Sequence, residues 1–260
     1  MKKNETKDVL NAVELKSRRT AMHIAAKEGR KEVIQFLLSN RASIDSRDKM
    51  LKTPLHYACE YGHKDTVEYL INRNADPFEE DNCGRNALHY AVYSSQVDIV
   101  MTLTLEYRDL VKKRDHAGRT ALHHAVFMET QWTQRNEAQA EGNAARSSAG
   151  RGQDSDNYQC SQADVMRQLI QDGSDVNALD QDKRTPLHHA AEANNLVAIE
   201  ILIQNNAHTS LKDSLMKKTP LELASSETVK RKIIKMSAPD YRPGKSPVRR
   251  SKKKVPTYEE

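Results

Sequence analysis

Thr185-Pro186-Leu187-His188-His189-Ala190 is one of six related hexads in this 260-residue chain. The others begin at Thr20, Thr53, Asn86, Thr120 and Thr219, so the starts recur with a period of roughly 33 residues. The interval from Thr120 to Thr185 is about twice that, one ordinary period carrying an insertion of similar length. Each hexad reads as the start of a helix. Thr, or Asn at position 86, is a good N-cap, because its side-chain oxygen accepts from the free amides of the first turn. Pro suits the first helical position, where its missing N–H is no loss. Leu and the Ala three residues on share a face, one filling a core and the other allowing close approach. His falls where a polar side chain can return a bond to the cap, which makes Thr20/His23, Thr53/His56, Asn86/His89, Thr120/His123, Thr185/His188 and Thr219 the structural repeat positions.

A second apolar element follows each hexad at helical spacing, as in Val33-Ile34 with Leu37-Leu38 or Ile199 with Leu202-Ile203. Gly29, Gly62 and Asn194 lie between the two helices, and Asn74, Gly173 and Asn206 follow the second; all are residue types that tolerate a left-handed stop. An extended polar stretch then carries an acid five or six residues before the next hexad: Glu14, Asp48, Asp81, Asp115, Asp180 and Asp213. The unit is helix, turn, helix and a turn-rich finger, and a unit of that size cannot bury those faces without neighbours.

This period and hexad resemble the ankyrin repeat family over roughly residues 10–236. The resemblance implies an all-α solenoid of stacked helix-turn-helix units with β-hairpin-like fingers. Its repeats would span about 20–52, 53–85, 86–119, 120–184, 185–218 and 219–236, with an insertion at about 130–161. Residues 1–9 read as a flexible start and 237–260 as a disordered basic tail. Met22 and Ala21 in the first hexad, and Glu222 in the last where the family has His, mark imperfect end repeats, as expected where one face meets water. The third repeat runs into Tyr107-Arg108-Asp109-Leu110 without a Gly or Asn stop, so its turn is expected to depart from the pattern.

The formal net charge of +5 belongs to the tail, because residues 1–240 hold 34 basic and 34 acidic side chains. A basic stripe in nucleic-acid style is therefore not read into the body. Arg249-Arg250-Ser251-Lys252-Lys253-Lys254 resembles a nuclear-import signal, and Ser246-Pro247 a proline-directed phosphorylation site. A solvated tail, nuclear import, and contact with nucleic acid or an anionic membrane all stay open for this segment. Cys59, Cys83 and Cys160 are odd in number and lack metal-ligand spacing, which favours a reducing compartment. No apolar run has the length of a membrane span, and no signal-peptide core follows Met1. The expectation is a soluble monomer in the cytoplasm, the nucleus or both. The insertion is too polar to fold alone and reads either as a solvated loop or, because of Trp132, as a segment that orders on a partner.

Five of the ten histidines hold the same structural place. Neighbours such as His123-His124 point about 100° apart on a helix and make a poor metal pair. With no phosphate loop, nucleophile elbow or zinc spacing, no catalytic, cofactor or metal residue is assigned. The resemblance implies instead a protein-interaction module (scaffold, adaptor or inhibitor) whose partner lies across a concave face of finger tips and first-helix ends. Position by position, that face includes Met50, Lys52, Tyr61, Arg85, Tyr93, Arg119, Phe127, Met128, Arg184 and Glu192. Tyr61, Tyr93, Phe127 and Met50 are its expected anchors, since aromatics and Met are enriched at interface centres. The alternatives are a nuclear or chromatin-associated regulator acting through its tail, and a regulatory subunit of an enzyme carried by another chain.

Overall fold

The computed structural model describes residues 12–126 and 162–238. Residues 1–9, the interval 130–161 and all but the first two residues of the 237–260 tail lie outside the described part.

Each hexad opens a helix, and a second helix follows after a short turn. The pairs are α1 (Ala21–Lys27) with α2 (Lys31–Ser39), α3 (Pro54–Glu60) with α4 (Lys64–Asn72), and α5 (Ala87–Tyr93) with α6 (Val97–Glu106). The fourth repeat begins with α7, described over 121–126, and resumes with α8 (Gln162–Gln171). The fifth has α9 (Pro186–Glu192) and α10 (Leu196–Gln204), the sixth α11 (Pro220–Leu223) and α12 (Glu227–Ser237). The turns between helices close through residues at positive φ: Gly29, Gly62, Asn194 and, after the second helices, Asn74, Gly173 and Asn206. At the third repeat a 3-10 helix over Arg108–Lys112 replaces that stop and buries Leu110 and Val111.

First helices stack on first helices, α3 lying between α1 and α5, while the second helices line up behind them. The core runs without a break through this stack. Leu55, Leu88, Leu122 and Leu187, the bulky residues of four hexads, are 0–1% exposed, and the small Ala58, Ala91, Ala125 and Ala190 on the same helical faces are fully buried. One layer from each repeat therefore seals the next, which is why no single unit is independently stable.

Among the described residues no stretch is assigned as strand. The fingers are tight turns, each closed by a backbone bond from the acid's N–H to the carbonyl just before the hexad, as in Asp81 N to Arg85 O at 2.9 Å. Neighbouring fingers touch tip to tip through one regular backbone bond: Lys49 to Ser17, Asn82 to Met50, His116 to Cys83, Gln181 to Ala117 and Ser214 to Asp182, each N–H donating to the preceding finger's carbonyl at 2.8–3.0 Å. The hairpin-like shape survives with too few cross-bonds to make a sheet.

Candidate functional site: the finger row and first-helix ends

The hexad histidine joins two repeats. In all five repeats that carry it, ring Nδ1 accepts from the cap residue's own backbone N–H, at 2.9–3.3 Å. The proton therefore sits on Nε2, which donates to a carbonyl of the following finger: Lys52 for His23, Glu79 for His56, Arg119 for His89, Arg184 for His123 and Leu211 for His188. Burial pushes His56 and His89 down to about 4 and His123 to about 3, the last helped by the neighbouring His189. A ring that must accept at one nitrogen and is sealed from water is kept neutral. In the last repeat Glu222 takes over the capping half of the task, accepting from the Thr219 N–H at 2.7 Å.

A second periodic network holds four of the six fingers to their helices, and sequence reasoning missed it. The finger acid uses Oδ1 to accept backbone amides of its own turn, such as Cys83 and Arg85 N–H on Asp81 at 2.8 Å. Its Oδ2 accepts from the fifth hexad residue, nine positions on: Tyr57 on Asp48 (2.8 Å), Tyr90 on Asp81 (2.6 Å), His124 on Asp115 (2.9 Å) and His189 on Asp180 (2.8 Å). Burial alone would raise the Asp115 carboxyl, yet the His124 bond and two backbone amides hold it at about 2. Tyr and His do the same work, and the offset of nine between two periodic positions was the available signal.

The expected partner-facing residues divide into groups. Tyr61 and Met50 are 49% and 45% exposed, with Tyr61 stacked on Tyr57. Tyr93 is half-buried, and its hydroxyl donates to His124 Nδ1 at 3.1 Å, so it also braces the fourth repeat. Lys52 pairs with Glu60 at 2.8 Å and lies 4.3 Å above the Tyr90 ring; Arg184 pairs with Glu192 at 2.9 Å. Arg85 holds the buried Asp81 carboxylate through Nε and one terminal nitrogen, at 2.9 and 2.7 Å. Lys52, Arg85 and Arg184, each the residue just before a hexad, are half-buried and ion-paired, Lys52 and Arg85 also lying over aromatic rings. Arg119 is half-buried on the wall of an open cleft of about 590 Å³ between the second and third fingers, together with Arg85, Tyr93, His116 and His124. Phe127, Met128, Ser246 and the basic cluster Arg249, Arg250, Lys252, Lys253 and Lys254 lie outside the described residues.

Finger one has an apolar tip, whereas the other fingers hold Gly or, at Arg18, Lys183 and Lys217, a basic residue in the same left-handed place. Leu51 adopts φ +61°, in the place where fingers two and three have Gly84 and Gly118, and it is 41% exposed beside Met50. A branched apolar residue in the left-handed region costs roughly 1–2 kcal/mol, and the Leu51 side chain stands outside the buried core that could offset it. Among the described residues no group of three or more His, Cys, Asp or Glu side chains could hold a metal ion, and no helix is long and apolar enough to cross a membrane.

The family model described as Ankyrin repeats (3 copies) matches the chain over residues 3–81, 73–133 and 158–236. No curated protein matches it. With the matched segments covering most of the chain and the stacked helix pairs, neutral bridging histidines and finger turns all following one period, this chain belongs to the ankyrin repeat family.

Proposed function

We propose that the chain is a non-catalytic binding module that holds a protein partner against its concave row of fingers and first-helix ends, as scaffold, adaptor or inhibitor. The observation that carries this reading is the finger-one tip, where Met50 and Leu51 stand exposed on a backbone conformation that glycine would adopt at lower cost. The left-handed place recurs in every finger, so what sets finger one apart is the pair of exposed apolar side chains it carries there. Tyr61, stacked on Tyr57 and half in water, lies at the end of the helix that follows this finger and supplies an aromatic anchor beside it.

The test is affinity capture from cells of the intact chain and of a Met50→Ala/Tyr61→Ala variant, both checked for an unchanged melt. Loss of a protein partner from the variant alone supports the concave surface; identical partner sets would move the interface elsewhere. Tyr93 is left intact because its removal would also unbrace His124. A second reading assigns the location of the protein to the basic segment at Arg249–Lys254, with nuclear import, modulated by phosphate at Ser246, as its action. A chain ending at residue 240 that still entered the nucleus would remove it.

A further inference from the structure

The last repeat reverses the charge of the layers it stacks on. Residues 162–206 hold three Lys or Arg and seven Asp or Glu, whereas residues 207–238 hold seven and three. Those three acids are all engaged. Asp213 is buried and accepts from the Met216 and Lys218 amides, Glu222 accepts from the Thr219 amide of its own cap, and Glu227 pairs with Arg231 at 3.5 Å. The salt bridges of this layer are Arg184–Asp213, Arg231–Glu227 and Lys232–Glu200, so among the described residues Lys212, Lys217, Lys218, Lys230 and Lys235 stand outside them. The layer is a cluster of solvated ammonium groups.

A terminal layer of a solenoid is expected to turn a polar face outwards, and this one does not. Leu215, Met216 and Ile234 are 64%, 58% and 58% exposed. Leu221 holds the hexad place whose Leu is buried in the four repeats before it, yet it is only half-buried. With Thr209, Thr219, Ile233 and Ile234 it lines an open apolar groove of about 480 Å³ beside α11 and α12. The basic groups are interleaved with these side chains. Lys230 and Ile234, four residues apart, share a face of α12, and Lys217-Lys218 follow the Leu215-Met216 tip directly.

Charge decides what can cover such an end. The chain's own continuation, residues 239–260, adds seven basic and three acidic side chains, and a second copy would bring the same positive layer, so like charge opposes both. Single-stranded nucleic acid is gripped by aromatic stacking, and residues 207–238 contain no Phe, Tyr or Trp. We propose that the last repeat is a peripheral docking site for an anionic lipid surface, its lysines lying among the headgroups and Leu215, Met216 and Ile234 reaching the boundary beneath them. Lysine is a flexible point charge that needs no fixed fork of acceptors, which suits a fluid layer of headgroups. Attachment of this kind scales with buried apolar area plus attraction to anionic lipid, and the layer offers both. The basic run from Arg242 to Lys254 begins four residues after Ala238, at the rim of the groove, and adds to the attraction. The site lies at the other end of the stack from Met50 and Tyr61, and its failure would leave the concave-surface reading untouched.

Sedimentation of the full chain with vesicles of phosphatidylcholine, alone or with about one third phosphatidylserine, tests the proposal. Three full-length variants accompany the parent, each checked for an unchanged melt. One is Lys217→Gln/Lys230→Gln/Lys235→Gln, the second Leu215→Ser/Met216→Ser/Ile234→Ser, and the third Arg249→Gln/Arg250→Gln/Lys252→Gln in the tail. The expected result is binding to the anionic vesicles only, about a hundredfold weaker in the lysine variant and about tenfold weaker in the apolar one. Both losses support the proposal, whatever binding the tail variant retains, and if one of these two variants melts early the other decides. Absence of binding, or equal binding to the two vesicle types, would overturn it. Loss in the tail variant alone would assign the attachment to the tail and overturn the role of the last repeat. An apolar variant that binds like the parent, with a DNA duplex displacing the vesicles, would make this end a general polyanion site and overturn the lipid assignment.

Discussion

A histidine ring set between an N–H of its own helix cap and a carbonyl of the next repeat loses its place as soon as it is protonated, because Nδ1 can then no longer accept. His56, His89 and His123 titrate at about 4, 4 and 3 when folded, against 6.5 for an ordinary histidine. Their folded values are depressed, so the unfolded chain binds these protons first. The stability they contribute is present above pH 6.5 and is lost as pH falls towards about 4. Each histidine contributes a limiting slope of about 1.4 kcal/mol per pH unit in that window. Urea unfolding at pH 7.5 and 5.5 should show a clear loss at the lower pH, and a flat profile would contradict the bridging role. At neutral pH, His123→Ala should cost about 1–3 kcal/mol, since it leaves a buried cap amide and the Arg184 carbonyl without their partner. Thermal melts of the two proteins check this directly.

The finger is the element whose shape was least legible. The hexads announced every first helix, because N-cap chemistry, proline and the Leu/Ala spacing all act locally. The turn stops at Gly62, Asn74 and Asn194 were legible for the same reason. Within the finger, however, the positive-φ place is filled by Gly84 and Gly118 in two repeats and by Arg18, Leu51, Lys183 and Lys217 in the others, so residue type gives no consistent sign. The clamp from the fifth hexad residue to the finger acid was hidden by a similar degeneracy, Tyr57 and Tyr90 doing by O–H what His124 and His189 do by N–H. Leu51→Gly should raise the stability of the chain by up to about 1 kcal/mol, the relief of left-handed strain exceeding the loss of an exposed side chain. Gly118→Ala should lower it, because φ is +77° and the new Cβ would meet the Gln181 amide nitrogen at 2.9 Å. Denaturant midpoints that moved the other way for both would show that the finger is not strained in this manner.

At the scale of the whole molecule, the regular recurrence of the hexad determined the architecture, while the partner surface depended on features no period carries. The burial of Tyr93 against His124, the ion pairs at Lys52 and Arg184 and the exposed finger-one tip each depend on which side chains a particular repeat happens to hold. A stack sealed layer by layer also responds to damage according to position. Leu88→Ala, in the fully buried hexad of the third repeat, should cost about 2–5 kcal/mol and disturb both of its junctions. Ile233→Ala, in the terminal helix, should loosen the last repeat first and leave the exchange of the central amides nearly unchanged. Equal loss of protection everywhere in both variants would mean that the stack opens only as one unit.

The single backbone bonds between finger tips have a further use. The amide protons of Lys49, Asn82, His116, Gln181 and Ser214 each straddle one junction. Each disappears as a protected signal when its own two repeats part, so the chain carries five built-in gauges of where it opens. The Gln181 gauge reads the junction that closes across the longest interval of the chain, between fingers whose hexads begin at Thr120 and Thr185.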